Sequence, residues 1–303
     1  MTTRRRAVKK ARKAAKRSTS TKKAAPSRRM SPKAALSTAT SARKTVKQRV
    51  AAMAEVPMEV SQNDEGLQSL LDVLRNQEEP VKVRLAALQA LQAANFSVSS
   101  FGSFRGEYFA ALRKVALDPD PELRQRVLGV LARDKDGFAQ KKLLEGLQHP
   151  EKALVPPEKA LQLLSYDAHA EAYSIARDVV SKSTDEPAKR QALRLLASDS
   201  TAAPIFEKVL RDKEEFAQNR QISASALQSL KPKRLQVHAR EMLLDDSEYD
   251  DIQATSLTAL AQFGDDDAVA KDEALLNSVD RLSSKASPTI KRRARRFLSK
   301  HRR

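Results

Sequence analysis

The side chains best placed to do chemistry in this sequence are cations set in pairs. Arg4, Arg5, Arg6, Lys9, Lys10, Arg12, Lys13, Lys16, Arg17, Lys22, Lys23, Arg28 and Arg29 stand among Ala, Ser and Thr, and no carboxylate precedes Glu55. Cations at that density neutralise phosphates and release counterions, each contact adding ~0.9 to the log–log salt slope on duplex DNA. Without aromatics or a reading helix they hold backbone and leave base sequence unread. Residues 7–17 are rich in Ala, Lys and Arg and could become helical once bound, and phosphorylation at Ser31-Pro32 would tune the charge. A second cationic set, Lys291, Arg292, Arg293, Arg295 and Arg296, lies near the other end as a further anion contact.

Other chemistries find little support. There is no GxGxxG, GxxxxGK[ST], GxSxG or HExxH. Cysteine is absent, which excludes disulfides, thiolate zinc sites, iron–sulfur ligation and cysteine nucleophiles. His149, His169, His238 and His301 fall on different repeats, His149 in a turn before Pro150 and His301 in the basic tail. The acidic runs 245–251 and 265–267 lack EF-hand spacing and are expected to be solvated turns and helix starts. No metal, no cofactor and no catalytic residue is expected, and the chain is expected not to be an enzyme.

The elements that must carry these groups follow from charge and periodicity. Of 56 Lys and Arg, residues 1–50 hold 18 with no acid, and 285–303 hold nine with none. The span between them is therefore acidic, 29 cations against 38 carboxylates. Seven glycines and 4% aromatics speak against barrels and sandwiches, and the Ala/Leu/Lys/Arg/Glu bias favours helix. No apolar run is long enough to span a bilayer, and no apolar stretch follows the basic start as in a secretory signal. A leucine closing an apolar helix recurs as Leu91, Leu131, Leu164, Leu196, Leu230, Leu260 and Leu298, at spacings of 40, 33, 32, 34, 30 and 38. A small residue usually stands four before it. A second amphipathic helix precedes each such helix, for example at Leu67, Leu70, Leu71 and Leu74, and turns such as Asp118-Pro119-Asp120-Pro121 join the two.

These units resemble HEAT repeats of the short bacterial, PBS-lyase-like type. The likeness lies in Val83-Arg84-x-x-Ala87-x-x-Ala90-Leu91, and in Asp118 to Arg124 ahead of Val127 and Leu131. It covers about residues 64–300 and implies fold more than function. It places Arg84, Arg124, Lys189 and Lys291 at the family's Arg/Lys position, a ladder to turn carboxylates of neighbouring repeats. The competing assignment is a basic concave groove with Lys82, Arg126, Arg133, Arg190 and Arg194. Among HEAT-repeat enzymes, the paired His-Glu of the iron hydroxylases and the Trp of alkylpurine glycosylases are missing, and nothing specific to phycobilin lyases is visible. The basic N-terminal block resembles histone tails in composition. Phe96, Phe101, Phe104, Tyr108 and Phe109 crowd the 40-residue repeat and are expected to pack an elongated turn, with a partner-docking loop as the alternative.

The expectation is an all-α, right-handed α-solenoid of about seven helix–turn–helix repeats over 61–303, closed by a capping helix at 287–303. A disordered tail over 1–60 precedes it, with a helix near 45–56. Functionally, a HEAT-repeat adaptor would dock a protein partner while its basic ends bind DNA or RNA; it would be a monomer with no membrane contact. The alternatives are a pure protein scaffold whose basic termini target or self-associate and, at low weight, a nucleic-acid-processing enzyme. The expected place is intracellular: cytoplasm or nucleoid in a bacterium, nucleus in a eukaryote.

Overall fold

A computed structural model describes residues 30–56, 64–96, 101–285 and 287–302. Helices follow one another with short turns, and no strand occurs among the described residues. Backbone contacts divide the chain into two compact units, Met1–Phe104 and Arg105–Arg303.

The first unit holds two helix–turn–helix pairs: α1 (Pro32–Thr40) with α2 (Val46–Met53), and α3 (Asp64–Arg75) with α4 (Val81–Phe96). First helix packs on first helix and second on second, α1 against α3 and α2 against α4. The second unit repeats the arrangement. Its pairs are α5 (Arg105–Val115) and α6 (Pro121–Arg133); α7 (Gly137–Gln148) and α8 (Pro157–Leu164); α9 (Ala170–Lys182) and α10 (Glu186–Leu196); α11 (Ala203–Arg211) and α12 (Ala217–Leu230); α13 (Pro232–Leu244) and α14 (Asp250–Phe263). Short α15 (Asp266–Lys271) leads into the last pair, α16 (Glu273–Lys285) and α17 (Pro288–His301). Second helices stack in chain order, α6 on α8, α10, α12, α14 and then α17. This is the all-α helical-repeat class that the periodicity implies.

Local sequence explains where helices start. Thr45 accepts from Gln48 N while Gln48 returns a bond to Thr45 N, a reciprocal cap. Asp120 and Asp185 accept from Leu123 N and Ala188 N, and proline fills the first turns of α6, α8, α10, α13 and α17. Gly146 on α7 touches the next loop so closely that a Cβ there would lie 2.9 Å from Ala153 Cα.

Two expectations need correction. Residues 32–40, assigned to the tail, form α1; α2 falls where a helix near 45–56 was expected, but as half of a repeat pair, so Leu91 is not the first of its series and Val56 fills that place, 35 residues earlier and fully buried. The signal was weak because this pair buries mainly alanines, Ala35, Ala39 and Ala52, beside Met53. The second correction concerns register. Leu230 is only half-buried at the end of α12, whereas Leu227 is wholly buried. The true spacings there are 31 and 33, and Ser223 and Asn219 enter the core where Ala226 and Ile222 were placed.

That register brings Arg220 into line with Arg49 and Arg84, seven residues before the buried Val56, Leu91 or Leu227. Arg49, Arg84 and Arg220 are almost fully buried. Each donates its Nε to the carbonyl ten residues earlier, at Ala39, Leu74 and Leu210, 2.8–3.0 Å away. Those carbonyls end first helices, where acceptors lack intrahelical donors. The rest of the Arg49 guanidinium grips Glu79 at 2.5 and 2.8 Å, and that of Arg220 grips Glu248 at 2.9 and 2.6 Å, in the turn of the next pair. Lys189 reaches Glu215 in the same way. Arg124 donates to the carbonyls of Leu154 (2.6 Å) and Asp118 (2.9 Å), because the turn at 153–156 has no acid.

A second ladder joins first helices in the second unit. Arg113 donates to Asp136, Gln140 to Asp167, Arg177 to Asp199 and Arg240 to Asp272. Asp136 also caps α7 through Phe138 N and Ala139 N, and Asp272 accepts from Leu275 N. Arg240 is the main reason that the Asp272 carboxyl sits below its ordinary pKa.

Removing one member of the buried pair leaves an uncompensated charge, a loss on the order of 3–5 kcal/mol. Glu248→Ala should therefore lower the first transition in a denaturant titration strongly, while Arg113→Ala, on a half-exposed side chain, lowers it far less. The register predicts a further contrast by the same measurement: Leu227→Ala should cost about 2–5 kcal/mol, and Leu230→Ala less than about 1 kcal/mol.

Candidate nucleic-acid interface

The cations expected to hold phosphate have separate fates. Arg4, Arg5, Arg6, Lys9, Lys10, Arg12, Lys13, Lys16, Arg17, Lys22, Lys23, Arg28 and Arg29 lie outside the described residues. The C-terminal set lies on α17, whose fourteen residues contain no acid. Ile290, Ala294, Phe297 and His301 recur at intervals of three or four and form its buried face, against α14 and α16. This anchoring turns the other face outward.

The outward cations divide again. Arg293 donates to the carbonyl of Ala254 at 2.9 Å and to Thr258 Oγ1 at 3.0 Å. Lys300 donates to the Ala261 carbonyl and to Asp266, both at 2.8 Å, and Arg302 donates to Asp280 at 3.0 Å. These fasten α17 to the unit. Arg292, Arg295 and Arg296 are exposed and have no hydrogen-bond acceptor or ion-pair partner among the described residues. Three and four residues apart, they form one face with unrelieved like-charge repulsion. Beside it a cleft of about 590 Å³ opens between α14 and α17, where Arg293, Arg296 and Lys300 meet Thr258, Gln262 and Ser299. A multiply charged anion would find guanidinium, ammonium and hydroxyl donors there, and no group that reads a base edge.

The basic-groove alternative keeps few of its members. Arg84 is buried, Arg124 is spent on carbonyls, Lys189 on Glu215 and Arg190 on Glu186, and Arg126 stands 4.0 Å from Glu122. Lys82, Arg133 and Arg194 remain exposed.

Two of the four histidines, on successive repeats, face one cleft. His149 ends α7 and His169 precedes α9, and both line a cleft of about 740 Å³ with Glu145, Glu171, Lys141 and Lys152. His169 Nδ1 lies 2.8 Å from the Asp167 carbonyl. Lys142 and Lys152 hold the Glu145 carboxyl below its usual range. Among the described residues no group of His, Asp and Glu is arranged to hold a metal ion. The acidic runs supply turns and caps: Asp265 caps α15, Glu248 is in the ladder, and Asp245 is held to a pKa of about 2 by Lys213 and Ser247. No described helix is long and apolar enough to cross a membrane.

The crowded aromatics mostly pack. Phe101 and Phe104 meet edge-on at 5.7 Å in the first unit, and Tyr108 and Phe109 at 5.3 Å in the second; Phe96 is exposed.

No protein-family model and no curated protein matches the chain. Two solved structures are similar in fold. One is the complex of CpcE and CpcF of phycocyanin lyase from Nostoc sp. PCC7120, at 14% identity and a TM-score of 0.40, covering 85% of this chain and 95% of that one. The other is human deoxyhypusine hydroxylase in complex with glycerol, at 14% identity and a TM-score of 0.33, covering 81% and 98%. Both are named for catalysed reactions, which corrects the expectation that this chain is not an enzyme. That expectation rested on missing motifs alone.

His301, in the basic C-terminal segment, is 2% exposed, with its ring 4.5 Å from that of Phe297. Burial lowers its pKa, Lys300 adds to the lowering, and Asp266 opposes it. The folded chain thus prefers the neutral ring, and its contribution to stability is complete above the unfolded value near 6.5 and lost as pH falls through the lower folded one. The thermal midpoint should drop as pH falls below about 6.5, and His301→Phe should flatten that part of the profile in a pH-resolved melt.

Proposed function

We propose that this chain is a HEAT-like repeat adaptor. Its repeat surface docks a protein partner, and its basic N-terminal segment and C-terminal helix hold DNA or RNA through the phosphate backbone. The observation that carries this reading is the partition of charge. Many carboxylates of the middle of the chain go into ladders and helix caps, while residues 1–50 hold 18 cations and no acid. Arg292, Arg295 and Arg296 add three more without a carboxylate. Apart from Arg49, which the ladder uses, these cations do not sit at ladder positions.

A polyanion would relieve the repulsion within both sets and release counterions as it did so. Phosphate contacts position a chain on nucleic acid, so the proposal includes affinity with little sequence preference. The test is the salt dependence of binding to a short duplex DNA and to an RNA strand, with the full chain throughout. Replacing Arg292, Arg295 and Arg296 by Ala should lower the slope on duplex DNA by up to ~2.7, three contacts at ~0.9 each. Replacing the thirteen paired cations of residues 1–29 by Gln should lower it further. An unchanged slope in both variants, or no binding by the natural chain at low salt, would refute the reading.

A further inference from the structure

Two adjacent second helices start differently from three others in the chain. α2, α6 and α10 begin on Thr45, Asp120 and Asp185, whose side chains accept from free N–H groups. At the same place α12 and α14 have Phe216 and Tyr249, with no side-chain cap. A polar residue there would stabilise the helix start, so the aromatics are not explained by local stability. They are not core residues either: Phe216 is 57% and Tyr249 49% exposed. Each stands four residues before the ladder position, at Arg220 and Gln253. With packed helices 8–10 Å apart, the two rings share one edge of the second unit.

Beside them lies an open cleft of about 490 Å³, lined among others by Tyr249, Asp250, Asp251, Gln221 and Arg194. Asp250 and Asp251 are exposed and have no ion-pair partner among the described residues; Glu214, next to Phe216, is the same. Gln221 donates its Nε2 to Thr255 Oγ1 at 3.1 Å, and no donor reaches its Oε1 among the described residues. Arg194 offsets one of the two cleft carboxylates, and Glu214 extends the negative field along the edge. Tyr249 already covers the Arg220 guanidinium at 5.9 Å, which shows the pairing this ring can make.

We propose that this edge binds an extended Lys/Arg-rich segment of a protein partner. Aromatic faces attract ammonium and guanidinium groups, and the exposed carboxylates accept their donors. An acidic or apolar segment would meet the wrong charge, and a nucleic acid would be repelled. The inference gives a chemistry to the partner of the adaptor reading and stands apart from its nucleic-acid half.

The test uses the full chain and a labelled synthetic peptide of alternating Lys-Ser and Arg-Ser units, followed by fluorescence polarisation at low salt. The natural chain should bind it, and the peptide with Gln for every Lys and Arg should not bind. Phe216→Ser with Tyr249→Ser should weaken binding at least tenfold while the thermal midpoint stays or rises, since Ser is a good N-cap. Asp250→Asn with Asp251→Asn should weaken it similarly, and this pair decides the matter if the first variant unfolds. Equal binding by both variants, or none by the natural chain, overturns the proposal. The salt slope on DNA should be unchanged in both, so failure here and failure of the nucleic-acid reading are told apart.

Discussion

A guanidinium buried beneath a helix pair sets the terms for the chain around it. Arg49 and Arg220 are nearly sealed from water, where an unmatched charge would cost several kcal/mol. The next turn must therefore present a carboxylate at a fixed height and leave room for a two-pronged contact. Glu79 and Glu248 do so, and each pair fixes the distance and rotation of one repeat against the next. The Nε bond to the last carbonyls of the first helix ties the same side chain inward, so one arginine closes its own pair and docks the following one. Where the carboxylate is missing, as at Arg124, the cation turns to backbone carbonyls and stays less deeply buried.

This constraint accounts for the charge arrangement. A stack that must supply an acid in turn after turn for its ladder, and an aspartate at the start of first helix after first helix, becomes acidic. Its own cations balance only part of that. The aspartates serve twice, since Asp136 caps α7 and receives Arg113, which couples the start of a helix to its placement against the preceding one. Cations outside this scheme are the ones free for an external anion.

Much of this was legible in the residues. The leucine period and the proline-acid turns marked the helix pairs from α3 onward, and Arg84, Arg124 and Lys189 were visible as a ladder series. Two parts were not. In α12 two leucines three residues apart fit one periodicity, and hydrophobicity favoured Ile222, Ala226 and Leu230 over the polar Asn219 and Ser223 that are buried. The arginine of the ladder, with its partner Glu248 twenty-eight residues on, was the signal that could have chosen the register. Of the pair α1–α2 only a helix near α2 was legible, and α1 was hidden because a helix that approaches through alanine leaves almost no apolar mark. At the basic helix the sequence revealed which residues are cations, but not that Arg293 and Lys300 are used on α14 carbonyls, since those acceptors are nearly forty residues away.

The same logic separates structural charge from available charge in the last pair. Lys291 occupies the ladder position, yet no carboxylate meets it among the described residues, and the rest of α17 has no acid of its own. Capping a helical stack requires a polar outer face, which Ser, Gln and Glu would supply without repulsion. Seven cations between Lys291 and Arg302 go well beyond that requirement. The helix is held in place by its buried face and by Arg293, Lys300 and Arg302, so Arg292, Arg295 and Arg296 are displayed on a rigid support and not on a frayed end. A preformed row of cations loses less freedom on binding than a flexible one, so on the proposed reading this face would hold an anion more strongly per charge than its count alone implies.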